Sequence, residues 1–344
     1  MTIFELVDAK ILASYWNELT QNKAPFLGET LFPNKKKIGL DISWIKGSKG
    51  LPVELKLSSF DAKTVMRDRI GFDQIKTKMP FFKEGAYIDE ELRQELLKVV
   101  ESGNQAYIDA ILNQVFDTEK GLVESAAISR ERMRMQLLTT GAITLANNGQ
   151  EYSYDFGMPA GNKKTVGNLW SDVTKADPVA DLTEMADHIE NETGIIPTRA
   201  IMSRKTFGYI KNNQKLQKSL YVTSETIGVV TDTMILNAIR ELTGITIAIY
   251  SKKYKDANGA EKAYIPDNVV SMIPEGNLGS TWFGTTPEEA DLMAGAQASV
   301  ELVDTGVAIT TTKETDPVNV MTKVTQVSLP SFEQVDKVAI LTVA

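Results

Sequence analysis

The sequence predicts an α+β protein of two lobes, and three observations carry that expectation. From Asp117 to Gly149 a proline-free stretch of about thirty residues places Leu122, Ala126, Met133, Leu137, Leu138 and Ile143 on one stripe, as a single long helix would. "GITIAIYS", 244–251, is the most β-branched run in the chain and reads as a strand. The segment from 307 onward is strand-rich and ends on the apolar run "VAILTVA". With 344 residues, 42% apolar and 24% charged, the chain has the balance of a folded soluble protein and the length for two cores.

The elements follow in order. Residues 3–19 set Ile3, Leu6, Val7, Ile11, Leu12, Tyr15, Trp16 and Leu19 at helical spacing, an amphipathic helix in need of a partner. "TQNKAPFLGETLFPNKKK", 20–37, is broken by Pro25, Gly28 and Pro33 yet carries Phe26, Leu27, Leu31 and Phe32, so it reads as an extended arm whose side chains bury against something, often a neighbouring subunit. Residues 38–84 alternate weakly and have too few apolar positions for a private core. A projecting two-stranded loop fits them, as does an edge sheet of the main lobe. Two helices, "DEELRQELLKVV" and "NQAYIDAILNQVF", precede the long one, which Asp117 or Thr118 can cap and Asn147-Asn148-Gly149 can stop. "QEYSYDFGMP" then alternates as a hairpin strand does.

The second lobe opens at Asp177-Pro178, a helix start followed by Val179, Leu182, Met185 and Ile189 at helical spacing. "PTRAIMS" reads as a buried strand, with Ser203 the N-cap of "RKTFGYIKNNQKL"; another helix covers "IGVVTDTMILNAIREL". Asn258-Gly259 is expected to turn "GITIAIYS" back onto "AYIPDNVVSMI" as a hairpin. The last strand is expected to rejoin the first lobe's sheet, so that the lobes interleave.

Chemistry is sparse. The net charge of −8 repels phosphate, which disfavours tight nucleic-acid binding. The absence of Cys removes disulfides, thiolate zinc sites and cysteine nucleophiles. The start "MTIFELVDAKILASYW" lacks a basic region leading into an apolar one, so it is no secretory signal, and no apolar run approaches bilayer length; the chain is expected in cytoplasm and off membranes. The single histidine, His188, lies on the polar flank of the 178–193 helix beside Asp187 and Glu190 and reads as structural. "GMPAGNKK", 157–164, is the nearest approach to a phosphate loop and reads as a turn. Glu90, Glu91 and Glu95 read as a solvated helix face. Lys35-Lys36-Lys37 and Lys163-Lys164 could touch DNA, though such short runs are more often solvated or paired with acids on another subunit. No catalytic, cofactor-binding or metal-binding residue is expected. The crowded stretch 254–276, "YKDANGAEKAYIPDNVVSMIPEG", holds turns and carboxylates but no nucleophile, base or ligand set, and its polar residues are expected to face a neighbouring subunit.

Taken together, "KKKIGLDISWIKG", "ERMRMQLLTTGAITL", "DPVADLTEMADHI", "SRKTFGYIKNNQKL" and "ITIAIYSKKYKDANGAEKAYIPDNVVSMIPEG" resemble, in order and spacing, the lambda-type head protein family of tailed bacteriophages, the major capsid proteins with the Hong Kong 97 fold. The resemblance implies an N-terminal arm at 1–37 lying on a neighbour, an extended β loop at 38–84, a peripheral domain with a spine helix at 85–176, an axial domain at 177–300, and a C-terminal return into the peripheral domain at 301–344. It implies a structural protein, not an enzyme, that self-assembles through pentamers and hexamers into an icosahedral head shell in the host bacterial cytoplasm. The shell would enclose double-stranded DNA without sequence-specific binding. Its implied partners are a separate scaffold protein, a portal and a cement protein. An encapsulin-like compartment shell is the alternative on the same fold.

Overall fold

The computed structural model describes residues 8–20, 24–45, 74–88, 105–147, 150–220, 230–292, 298–315 and 318–344, with single helical positions at 90, 94 and 98. Helix α1 (Ala9–Thr20) takes up the first apolar stripe, burying Ala9, Leu12, Ala13 and Trp16. A short α2 (Leu27–Leu31) and strand β1 (Asn34–Lys36) form from the arm, because Leu31 and Phe32 bury within the chain. Strand β2 (Asp41–Ile45) pairs with β3 (Gln74–Lys78) as a two-stranded ribbon; residues 46–73, most of the expected loop, lie outside the described residues. Strand β4 (Phe81–Ile88) follows.

The long helix departs from expectation at both ends. Helix α3 (Gln105–Thr140) has 36 residues, about 54 Å at 1.5 Å per residue, and absorbs the preceding helical segment because no Pro or Gly interrupts it there. It stops at Gly141 rather than at Asn147-Asn148-Gly149. Gly141 takes φ 73° and its N–H closes onto the Leu137 carbonyl at 2.8 Å, the left-handed stop that glycine allows. The residues beyond it become β5 (Ala142–Asn147), paired antiparallel with β6 (Gln150–Asp155), so Ile143 is a buried strand residue and not part of a helical stripe.

After β7 (Lys163–Thr165), helix α4 (Pro178–Thr193) starts as its sequence predicts: the Asp177 carboxylate accepts from the Ala180 N–H at 3.2 Å, and Gly194 at φ 72° ends it. Strand β8 (Arg199–Met202) leads to Ser203, whose hydroxyl accepts from the Thr206 N–H and opens α5 (Arg204–Lys211). The helix expected through 216 breaks in two, because the Asn213 side chain accepts from the Leu216 N–H at 3.0 Å and starts α6 (Gln214–Leu220). Helix α7 (Asp232–Thr243) begins at the Thr231 cap. Strand β9 (Thr246–Ile249) lies parallel to β8, so it is not the hairpin partner expected. Asn258-Gly259 instead closes a smaller hairpin of β10 (Lys253–Lys255) and β11 (Glu261–Ala263), where Asp256 accepts from the N–H groups of Asn258 and Ala260 at 3.0 Å each. The remaining elements are β12 (Val269–Ile273), β13 (Thr281–Phe283), a π-helical turn at Glu288–Leu292, β14 (Ser299–Val303), β15 (Val307–Thr315), β16 (Val318–Pro330) and β17 (Ala339–Thr342).

The chain divides into two compact units, neither continuous in sequence. The first draws on 1–43, 76–133 and 280–331; its sheet runs β1-β13-β16-β15-β14, with β4 also on β16. Along β15 and β16 alternate residues Val307, Ile309, Val320 and Val324 point to one face and meet Leu12, Trp16, Val123 and Ala126 of α1 and α3. The second unit draws on 44–75, 134–279 and 332–344, with sheet order β7-β17-β12-β8-β9. Its core joins Ala200, Met202, Val270, Met272, Ala339 and Leu341 of the sheet to Leu182, Met185 and Ile189 of α4, Phe207 and Ile210 of α5, and Ile235 and Ile239 of α7. The last strand therefore does not rejoin the first unit's sheet: β17 pairs antiparallel with β12 and parallel with β7. It is apolar because it is central there.

Candidate assembly surfaces

The structure brings together two features that the sequence leaves apart. His188 sits over the 157–164 loop so closely that a Cβ on Gly161 would stand 2.9 Å from its Nε2. With Lys164, Glu184, Asp187 and Asn191 they line a shallow depression whose charge is partly cancelled, since the Lys164 ammonium lies 2.5 Å from Glu184. Among the described residues there is no group of three His, Cys, Asp or Glu side chains placed to hold a metal ion.

Parts of the stretch 254–276 are tied down within the chain, while 257–263 at its hairpin tip are exposed. Tyr264 packs between Tyr250 and Tyr254, at ring distances of 6.0 and 4.9 Å. The Ser203 hydroxyl donates to Asp267 at 2.7 Å, and the Asn268 N–H donates to Thr206 Oγ1 at 2.9 Å. Arg199 holds the other end, donating to the carbonyls of Pro274 and Gly276. The Lys262 ammonium and the two turn N–H groups keep the Asp256 carboxyl below its ordinary range.

The basic runs also find partners within the chain. Lys35 lies over the Trp282 ring at 5.4 Å and Lys36 pairs with Glu289 at 2.6 Å. They belong to a docked N-terminal segment, and the expectation that this arm lies on a neighbour is corrected for the described residues: its apolar side chains bury on the first unit. Strand β1 runs parallel to β13, the Ala9 N–H donates to Thr311, the Gly28 N–H donates to the buried Glu131 at 3.0 Å, and Trp16 Nε1 donates to Asp304 at 3.2 Å. Opposite β1, the π turn sends successive glutamates to different elements, Glu289 to Lys36 and the buried Glu288 to Lys323 of β16 at 2.7 Å.

These surfaces contain much interlocking and little chemistry, as in a building block. Residues 8–343 match the family model described as phage major capsid protein E. The chain belongs to this family. No curated protein matches it in sequence. Among solved structures it is similar to a prophage protein of E. coli CFT073 assigned to the capsid, at 16% identity and a TM-score of 0.60, covering 98% of this chain and 99% of that one. It is similar to a phage-related protein of Bordetella bronchiseptica RB50 at 14% identity and a TM-score of 0.56, covering 97% of each. The capsid asymmetric unit of cyanophage A-1(L) gives 12% identity and a TM-score of 0.51 over 95% of this chain and 97% of that one.

As a member of the phage major capsid protein E family with the Hong Kong 97 fold, the protein has a structural role in the phage head shell. Among the described residues no helix is long and apolar enough to cross a membrane. The ion pairs made by the buried Arg130, to Asp304, and by the buried Glu288, to Lys323, are the features of this capsid protein that sequence reading misses. Their partners stand far apart in the chain, and only an acid or base inside an otherwise apolar strand or helix face hints at them.

Proposed function

We propose that this capsid protein self-assembles through rings of five and six into a closed icosahedral shell around phage double-stranded DNA, with no enzymatic activity of its own. The observation that carries the reading is the family match across 8–343. The net charge of −8 favours DNA sliding past the shell over gripping it. Heterologous contacts that close by rotation give the rings, and many weak contacts per subunit suffice through multivalency.

In this reading 38–84 form the extended loop, 85–176 with 301–344 the peripheral domain, and 177–300 the axial domain; β17 joins the two, pairing with β7 of 85–176 on one side and with β12 of 177–300 on the other. Assembly takes place in the host cytoplasm with a separate scaffold, a portal and a cement protein. Electron microscopy of the purified protein, alone and co-expressed with neighbouring phage genes, tests this. Closed shells are expected; a stable monomer under both conditions, or turnover of a substrate, overturns it.

A further inference from the structure

Helix α4 carries Asp181, Glu184, Asp187, Glu190 and Glu192 and not one Lys or Arg, whereas 204–220, spanning α5 and α6, carries Arg204, Lys205, Lys211, Lys215 and Lys218 and not one acid. Each set opposes the helix dipole at one end. Glu190 and Glu192 crowd the last turn of α4, where partial negative charge already gathers and no base compensates. Arg204 and Lys205 occupy the first turn of α5 and Lys215 that of α6, where partial positive charge gathers and neither turn carries an acid of its own. Charges that break a local rule at both ends point to a partner outside the chain.

The two sets do not neutralise each other within one molecule. Helix α6 sits against the start of α4, through the Gln214 N–H to the Val173 carbonyl and Lys215 to Asp177. Glu190 lies a further thirteen residues along, about 20 Å at 1.5 Å per residue, beyond the roughly 8 Å screening length of physiological salt. Among the described residues the basic set pairs with Asp177, Asp232 and Asp267, in pairs that are exposed or, for Lys211–Asp232, half-buried. Glu190, Glu192 and Lys218 are exposed and have no ion-pair partner among the described residues.

We propose that the acidic C-terminal half of α4 docks on the basic α5–α6 surface of a second copy of this chain, a head-to-tail contact that repeats around a ring. The two surfaces differ, so the contact is heterologous, and rotation closes it. The inference rests on the shell reading above.

Charge reversal tests it. The pair Glu190→Lys/Glu192→Lys and the pair Lys215→Glu/Lys218→Glu are each expected to slow shell assembly about tenfold or more, followed by light scattering and electron microscopy. The Glu190→Lys/Glu192→Lys monomer should melt at the same or a higher temperature, because its new charges suit the helix end, so a mere folding defect is told apart. The fourfold variant, with both surfaces reversed, should recover assembly to within about twofold of the parent. Double variants that assemble as the parent does, or a fourfold variant without recovery, overturn the inference while parental shells leave the shell reading standing. A parent that forms no shells removes both.

Discussion

Trp16 Nε1 donates a hydrogen bond to Asp304 across 288 residues of sequence, and the other oxygen of the same carboxylate holds the Arg130 guanidinium at 2.5 Å. One side chain therefore ties the N-terminal helix, the long helix and the β14–β15 turn. Arg130 is 4% exposed and also donates to Gln326, so it depends on that charge. Asp304→Asn keeps an acceptor for Trp16 and suits the φ of 48° at this position, but leaves the arginine unpaired. We expect it to cost about 2–3 kcal/mol in urea unfolding. An unchanged midpoint would show the pair to be unimportant.

The docked segment makes its own prediction. Trp16 is 5% exposed and packs among Leu12, Val123, Val303 and Ile309, whereas Ile11 on the same helix is 42% exposed. Trp16→Ala should destabilise the protein by about 3–5 kcal/mol and Ile11→Ala by less than about 0.5. Deleting residues 1–33 should then lower the melting temperature, since it uncovers the first unit's core rather than freeing a self-sufficient one. Similar losses from both point variants would place the helix elsewhere.

What the sequence made legible was local. Asp177-Pro178, Ser203 and the β-branched 246–249 run announce themselves because a cap or a strand preference is set by a few neighbouring residues. The end of α3 was not legible, because Ile143 continues the helical stripe by coincidence and the stop is a single Gly141 inside it. Nor was the partner of β9: pairing with β8 rather than β12 is decided by tertiary packing. Apolar spacing showed that α1 needs a partner and could not say which. For the candidate surfaces, the residue types present were readable from the sequence. The inward aim of Asp267, Arg199 and Lys36 was not, because it depends on partners 64, 75 and 253 positions away.

Gly141 gives a sharp local test. Its φ of 73° is a conformation that L side chains rarely adopt, and an added Cβ would meet the Met158 Cβ at 3.0 Å. Gly141→Ala should cost about 1–2 kcal/mol from the backbone alone, with crowding against Met158 adding to it. Gly121, on the same long helix, has open space around its Cβ position and no positive φ. Gly121→Ala should therefore be neutral or stabilising by up to about 1 kcal/mol. The Gly141 variant should melt below the parent and the Gly121 variant at or above it; equal losses would contradict the assigned helix end.

Acid should weaken the first unit through Glu288. Burial works to raise this carboxyl, but the Lys323 ammonium at 2.7 Å, its own backbone N–H and the Thr325 hydroxyl outweigh it, so the group sits below the usual glutamate range. The unfolded chain then binds more protons than the folded one between the two values. The contribution is complete above the ordinary glutamate range and is lost as pH falls through the lowered value. Glu288→Gln keeps an acceptor for Thr325 but removes the titration and strands Lys323, whose side chain is 12% exposed. At pH 7 the variant should be less stable by about 2–3 kcal/mol. As pH falls below the usual glutamate range, the gap between parent and variant in urea midpoint should narrow, because only the parent loses the pair. The other carboxylates titrate in both proteins and cancel in the difference, so a gap that stays constant down to acid pH would show that Glu288 is not held ionised by Lys323.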